Sequence, residues 1–494
     1  MSATKKQNTG NLYQNYTVSS NEPIDIINDI KNLSSRHFFE KYVSIRKPVK
    51  FEVPADQQVI DLEKFKVDHL LDTLKYEDEL QVEKKYQDGF GSGQKRIKMK
   101  LADLIEEVKK SDEYYLTTQY DFDDPDRDEK EEGDEEDDEE DEDDDEQTND
   151  VQFDKFSDTS SIDMNDLHDD FEDLEDFDAD QDTAELLQGE IELRVKDLFQ
   201  PPLTNLFNSP SILPVTPSFF NLIPQQINLW MGSTVNAKPK EFTIDESREQ
   251  DFGLGKQLPG STPGSSSGLH HDHADNLYIL VQGKKRFTIL SPNDALKLHT
   301  VGTIYKIFNS GIIDYEINEN APNWKHVRDD GAIIEEILNY QLDNCEDDDK
   351  QKEQLLKELE GYIKQRTAVK ETIKDLDPPS FSKVPPALLH LDELKDEELR
   401  TKIESFANKH FPGVLKLNKM EVWLEPGQML YLPAGWFHEV SSYGVDDGVH
   451  IAVNYWFIPP STKDYDKYHT DNYWSEDWER TKVALTKFED FESI

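Results

Sequence analysis

An acidic run in the middle of this chain limits its possible folds more than any other feature. Residues 121–182 hold 35 Asp and Glu against three basic residues, and so carry −32 of the total net charge of −51. The first part, DFDDPDRDEKEEGDEEDDEEDEDDDEQTND (121–150), has no apolar period. A stretch so poor in apolar side chains and so rich in one charge cannot recover its ordering entropy by burial. Residues 121–188 are therefore expected to form a disordered acidic insertion, so a compact domain has to draw on chain from both sides of it. The second part mixes acids with Phe153, Phe156, Ile162, Met164, Leu167, Phe171, Leu174 and Phe177. It reads either as a solvated spacer or as a segment that becomes helical on a partner.

Outside that run the chain reads as one domain with insertions. Residues 1–20 are expected to be a disordered tail. Residues 21–120 mix helix and strand signals: helix over 25–43, a strand over 46–53 broken at Pro48, an amphipathic helix over 101–110 and a strand over 114–120. From 189 to 460 the pattern turns β-rich, with strands predicted at 226–233, 276–290, 420–433 and 449–459 and turns at Gly283 and Pro426-Gly427. Residues 253–268, rich in Gly, Pro and Ser, are expected to be a flexible loop. A charged helix or helix pair over 346–374 lies within an insertion spanning 301–414, and 461–494 is a C-terminal helical segment. The fold class is thus mainly β with α, a barrel or jelly roll with helical N-terminal, inserted and C-terminal segments.

Cys345 is the single cysteine. That excludes a disulfide framework and any Cys-based zinc module, and points to a reducing compartment, nuclear and/or cytoplasmic. The first residues contain no apolar signal region, and no stretch is long and apolar enough to suggest a membrane span.

The chemistry is concentrated in two segments. In Leu269-His270-His271-Asp272-His273-Ala274-Asp275-Asn276, read as a strand, His270 and Asp272 share one face and His271 and His273 the other. One His and one carboxylate on a single face are two-thirds of a 2-His-1-carboxylate triad, which leaves coordination sites on Fe(II) open. The third ligand must come from elsewhere. Gly427 to His438 reads as a strand, a Pro433–Gly435 turn and a His opening the next strand. On the strand after Gly283, Lys285 shares an apolar face with Phe287 and Ile289, and Lys284 and Arg286 share the other.

Together these motifs resemble the JmjC/cupin-like Fe(II)- and 2-oxoglutarate-dependent oxygenases, in particular the protein hydroxylases related to the asparaginyl hydroxylase that inhibits hypoxia-inducible factor. The matching stretches are His270-x-Asp272, Asn276-Leu277, Gly283-Lys284-Lys285-Arg286, Gly427 to His438 and Val453-Asn454-Tyr455-Trp456. The family places Asn four residues after the ligand Asp. Asn276 therefore selects His270 over His271 and leaves His271 outside the ligand set. The resemblance implies a double-stranded β-helix (jelly-roll/cupin) core, iron on His270, Asp272 and His438, and the distal carboxylate of 2-oxoglutarate on Lys285. It adds Tyr115, Asn276, Asn454 and Ser267 as further co-substrate-site residues. One departure stands out: Asp272 and His438 are 166 residues apart, so the insertion between them could cover or reshape the substrate entrance.

The implied reaction uses Fe(II), with 2-oxoglutarate and O₂ as co-substrates, to oxidise a C–H bond. Hydroxylation of a protein side chain is the first reading. Lysine demethylation is the alternative, although demethylases commonly carry the Cys-rich modules excluded here. A non-catalytic JmjC scaffold that holds basic proteins through its acidic segment is the rival from another class, and a Zn- or Mn-dependent cupin isomerase is a further one. The acidic charge favours a basic protein substrate and disfavours nucleic acid. The C-terminal helix over 474–491 could form a homodimer or pack on its own domain.

Overall fold

A computed structural model describes residues 10–119 apart from 21, 86–88 and 92–95, and residues 181–492 apart from 237–241, 261–263, 346–348, 370–376 and 446–447. The predicted disordered stretch 121–180 lies outside the described residues.

Two sheets face each other. The larger has nine strands, in the spatial order Asp25–Ile27, Val49–Phe51, Met429–Leu432, Asp275–Gln282, Val449–Phe457, Pro224–Ser233, Tyr114–Leu116, Glu79–Lys84 and Arg96–Lys100. The smaller runs Met420–Leu424, Lys284–Leu290, Phe437–Tyr443 and Ser265–Ser266. Strand alternation gives each sheet two kinds of face. On the large sheet Leu277, Ile279, Ile451, Val453, Ile227 and Leu229 face a core shared with the helical N-terminal elements. Tyr278, Leu280 and Ala452 face the small sheet, meeting Phe287, Ile289 and Val422. This is the jelly-roll core expected from the sequence, mainly β with helices outside it.

Several local expectations change. Residues 25–43 are not one helix: Asp25–Ile27 is a strand, and helical turns begin only at Ser35, capped by the Ser34 side chain. Residues 10–20, read as tail, are packed. Gly10–Asn11 pairs with Ile304–Ile307, Tyr13 and Val18 are buried, and Tyr16 stacks on Trp436. Three apolar anchors spaced along a polar stretch form no periodic pattern, so sequence reading passed over them. The loop expected over 253–268 supplies the edge strand Ser265–Ser266, and a helix runs over Gln181–Leu198, into the stretch read as acidic insertion.

The insertion contains strands Ile304–Ile307 and Ile313–Tyr315 and helices Ile334–Asp343, Asp349–Thr367 and Glu397–His410. Its Tyr315, Trp324, Ile403 and Phe406 build a second core shared with Tyr13, Leu269, Leu290 and Phe437. The C-terminal helix Tyr473–Glu492 packs on its own chain: Arg194 of the Gln181–Leu198 helix donates to Asp477 at 2.9 Å. Among the described residues no helix is long and apolar enough to cross a membrane.

Candidate active site

The strand Asp275–Gln282 begins six residues after Leu269, where the motif reading started it. His270 is a single bridging residue paired with His438 and Phe381, and 271–274 are irregular, with a bend at 273–274. The reason is local: Gly435 N donates to the Asp272 carbonyl at 2.8 Å, and His270 N and O pair with His438 O and N. The His-x-Asp segment thus bends around the Pro433–Gly435 turn. Gly435 is required there, with φ +76°, because a Cβ would lie 1.7 Å from the Gly311 carbonyl oxygen.

That bend still brings the three predicted ligands together. One donor atom from each of His270, Asp272 and His438 lies within 4.8 Å of the others, and His438 Nε2 is 3.7 Å from Asp272 Oδ2. Both imidazoles are oriented from behind. His270 Nδ1 donates to the Gly268 carbonyl and His438 Nδ1 to the Trp436 carbonyl, each at 3.0 Å. Each Nε2 therefore keeps a lone pair for a metal. Burial pushes the His270 imidazole down to about 3, assisted by the neighbouring His438, so it is neutral and fit to ligate at physiological pH. A relay holds the carboxylate: Trp230 Nε1 donates to Asn454 at 2.8 Å, Asn454 to Asn276 at 3.2 Å, and Asn276 to Asp272 Oδ2 at 3.4 Å. Two imidazoles and one carboxylate fit an open Fe(II) site.

His271 and His273 take no part. His271 is buried, with its Nε2 2.5 Å from the Tyr315 hydroxyl, and His273 donates to the Ile313 carbonyl at 2.8 Å. Both anchor the motif to the insertion. The donors that converge are those of His270, Asp272 and His438, and the side chains of His271 and His273 lie outside that cluster.

The three ligand residues line a cavity of about 120 Å³, together with Tyr115, Trp230, Ser267, Asn276, Tyr278, Phe287, Ser442 and Asn454. Lys285 approaches it from the small sheet and is 1% exposed. Its Nζ donates to Ser442 Oγ at 2.6 Å, Tyr115 OH at 3.3 Å and His450 Nδ1 at 3.4 Å. All three partners are neutral acceptors, and among the described residues no carboxylate pairs with this lysine. Burial alone pushes its ammonium down to about 7. Gly232 makes the cluster possible, since a Cβ there would lie 2.4 Å from the Tyr115 ring and 2.7 Å from the His450 ring. Lys284, by contrast, is half-buried and pairs with Glu425 at 2.9 Å, while Arg286 on the same face is buried and pairs with Glu393.

Ser267 lines the cavity, but its hydroxyl donates to the Gly268 carbonyl and accepts from Val440 N at 3.0 Å. The hydroxyl on Lys285 is that of Ser442. Ser442, His450 and Trp230 were missed from sequence, as was Phe381. From the insertion, Phe381 stacks on the His270 ring at 4.9 Å between centroids. Ser382 N donates to the Leu269 carbonyl at 2.8 Å and His271 N to the Ser380 carbonyl at 3.3 Å. Pro378, Ser380 and Phe381 therefore form part of the cavity wall.

A jelly roll with a His-x-Asp…His cluster beside a buried lysine defines a class of oxygenase, and comparison with known proteins agrees. The profile of the Cupin-like domain family (Cupin_8) matches residues 35–463. The chain belongs to this cupin-like JmjC family, whose members are 2-oxoglutarate-dependent oxygenases that typically use Fe(II). It is 26% identical to JmjC domain-containing protein 4 of Schizosaccharomyces pombe, over 94% of this chain and 91% of that protein. It is 24% identical to the lysine-specific demethylase JMJ32 of Arabidopsis thaliana, over 48% of this chain and 43% of that protein.

Proposed function

We propose that this chain is an Fe(II)- and 2-oxoglutarate-dependent hydroxylase of a protein side chain, with iron on His270, Asp272 and His438 and the distal carboxylate of 2-oxoglutarate on Lys285. The observation that carries the reading is Lys285 itself. A cation this deeply buried without an anion costs several kcal/mol, and its partners Tyr115 and Ser442 line the same cavity as the three-donor cluster. A dicarboxylate that chelates a metal at one end and pairs with a lysine at the other would relieve that cost.

When bound, iron, 2-oxoglutarate and O₂ supply an oxidant strong enough to take hydrogen from a C–H bond, with succinate and CO₂ as co-products. The chain's own residues supply the rest. His270, Asp272 and His438 leave part of the coordination sphere open. Tyr115 and Ser442 direct Lys285, and the aromatic wall of Tyr278, Phe287 and Trp230 keeps water out. Phe381 supports the His270 ring from the side of the insertion.

The substrate we propose is a protein, basic near the modified residue. In sequence the acidic run follows closely on Thr117 and Thr118, which line the cavity, so its charge of −32 is covalently tethered close to the reaction site. Such a field concentrates cations and repels phosphates. Its reach is limited to a Debye length of about 8 Å at physiological salt. A second reading, lysine demethylation, is favoured by the name of the Arabidopsis relative. Succinate release by the purified full-length protein tests the activity. Mass spectrometry of a modified partner then separates one added oxygen from loss of methyl as formaldehyde. Absence of Fe(II)-dependent succinate release with every basic partner tried would favour the scaffold instead.

A further inference from the structure

We infer that Arg46 and Asp275 are positioning residues which clamp the two ligand-bearing segments onto each other and thereby set the metal affinity; this rests on the metal-site reading above. Asp275 stands three residues after the ligand Asp272 and is fully buried. Its carboxylate accepts from four donors. Two are the guanidinium nitrogens of Arg46, one of them at 2.9 Å. The others are Tyr431 OH at 2.6 Å and Ala434 N at 2.9 Å. The latter two sit on the strand and turn that lead into His438.

Arg46 closes the loop from the other side. Its carbonyl accepts the Trp436 indole N–H at 3.0 Å, two residues before His438. It does so with φ +59°, in the left-handed region that a non-glycine residue seldom occupies. Arg46 therefore contacts the His-x-Asp side through its guanidinium and the His438 side through its backbone. Neither Arg46 nor Asp275 lines the cavity, so their effect must pass through the ligands. A buried pair used only to tie down the N-terminal segment would not require both partners to contact the His438 turn.

The test uses the full-length protein and Mn(II) alone, titrated by calorimetry, with the Co(II) absorption spectrum as a report on ligand geometry. Arg46→Lys keeps the charge and loses the paired N–H groups; Asp275→Asn keeps the size and loses the charge. Each is expected to weaken Mn(II) binding roughly 10- to 100-fold, as loss of an outer partner does at other metal sites, and to alter the Co(II) spectrum. Tyr431→Phe, which keeps both charges, gives a smaller loss in the same direction and carries the test if either charge variant fails to fold. Arg194→Lys weakens a different ion pair, between the Gln181–Leu198 helix and the C-terminal helix, and should leave Mn(II) affinity unchanged. Wild-type affinity in the folded clamp variants, or an equal loss in Arg194→Lys, overturns the clamp. A wild-type chain that binds no Mn(II), or His270→Ala binding like wild type, overturns the metal-site reading and the clamp with it.

Discussion

The two ends of the cavity are both buried, yet they stand in opposite electrostatic conditions. At the metal end the ring N–H groups of His270 and His438 are satisfied by backbone carbonyls, and Asp272 is held by Asn276. At the lysine end, among the described residues, a cation meets only hydroxyls and an imidazole. The metal end is already organised and needs only an ion. The lysine end holds an unbalanced charge that an arriving anion would neutralise. One end thus supplies geometry in advance, and the other supplies binding energy when the ligand enters.

The contrast breaks most decisively at the metal end. His270→Ala or Asp272→Ala should reduce Fe(II)-dependent succinate release to background while the melting temperature stays near that of the wild type, because neither side chain belongs to an apolar core. His271→Ala should keep metal binding and lose stability through Tyr315 instead. Full turnover in His270→Ala would place the ligand register elsewhere.

At the lysine end the effects on binding and stability should separate. Lys285→Ala should weaken 2-oxoglutarate roughly a hundredfold or more, since it removes the partner of a buried carboxylate. Lys284→Ala should do little, because that lysine is only half-buried and already pairs with Glu425. Lys285→Met should melt at or above the wild-type temperature without co-substrate, since an uncompensated buried charge is gone. Lower stability in that variant would mean the lysine is already neutralised.

A subtler effect concerns protons. Burial holds the folded Lys285 at about 7, below its ordinary value of 10.5. The folded state therefore binds fewer protons than the unfolded state between those values, and the lysine's contribution makes stability rise with pH across that window. An incoming carboxylate restores the charged form, so 2-oxoglutarate binding near pH 8 should take up a proton. Calorimetry in buffers of different ionisation enthalpy reads this directly, and no buffer dependence would count against it. The smallest effect is expected for deletion of residues 123–180. Melting temperature and turnover should hardly change, while recovery of basic partners should fall in a salt-sensitive way.

Much of the site was legible in the sequence because its parts depend on short-range spacing. A His and an Asp two residues apart, Asn276 four residues after Asp272, and a lysine on an otherwise apolar strand face are local patterns set by the family motif and strand alternation. The alternation also anticipated the two sheets and the turn at Gly283. The 2.0-residue period failed only at 270–274, where docking of the Pro433–Gly435 turn onto the chain replaced a regular strand.

What only the tertiary structure decided has no local signature. Ser442 stands directly opposite Lys285 on the neighbouring strand, His450 reaches it from the larger sheet, and Trp230 reaches Asp272 through two asparagines on separate strands. Phe381 lies 109 residues beyond Asp272 in the chain, yet it stacks on His270 because the insertion folds back against the ligand segment. Residues 10–20 become ordered because Tyr13, Tyr16 and Val18 find partners that exist only after the barrel has closed. Sequence alone determined which side chains could perform the chemistry, since their types and spacing are covalent facts. Their surroundings, and hence the neutral His270 and the unbalanced lysine, were decided by the tertiary structure, because desolvation and partner geometry arise only when distant strands come together.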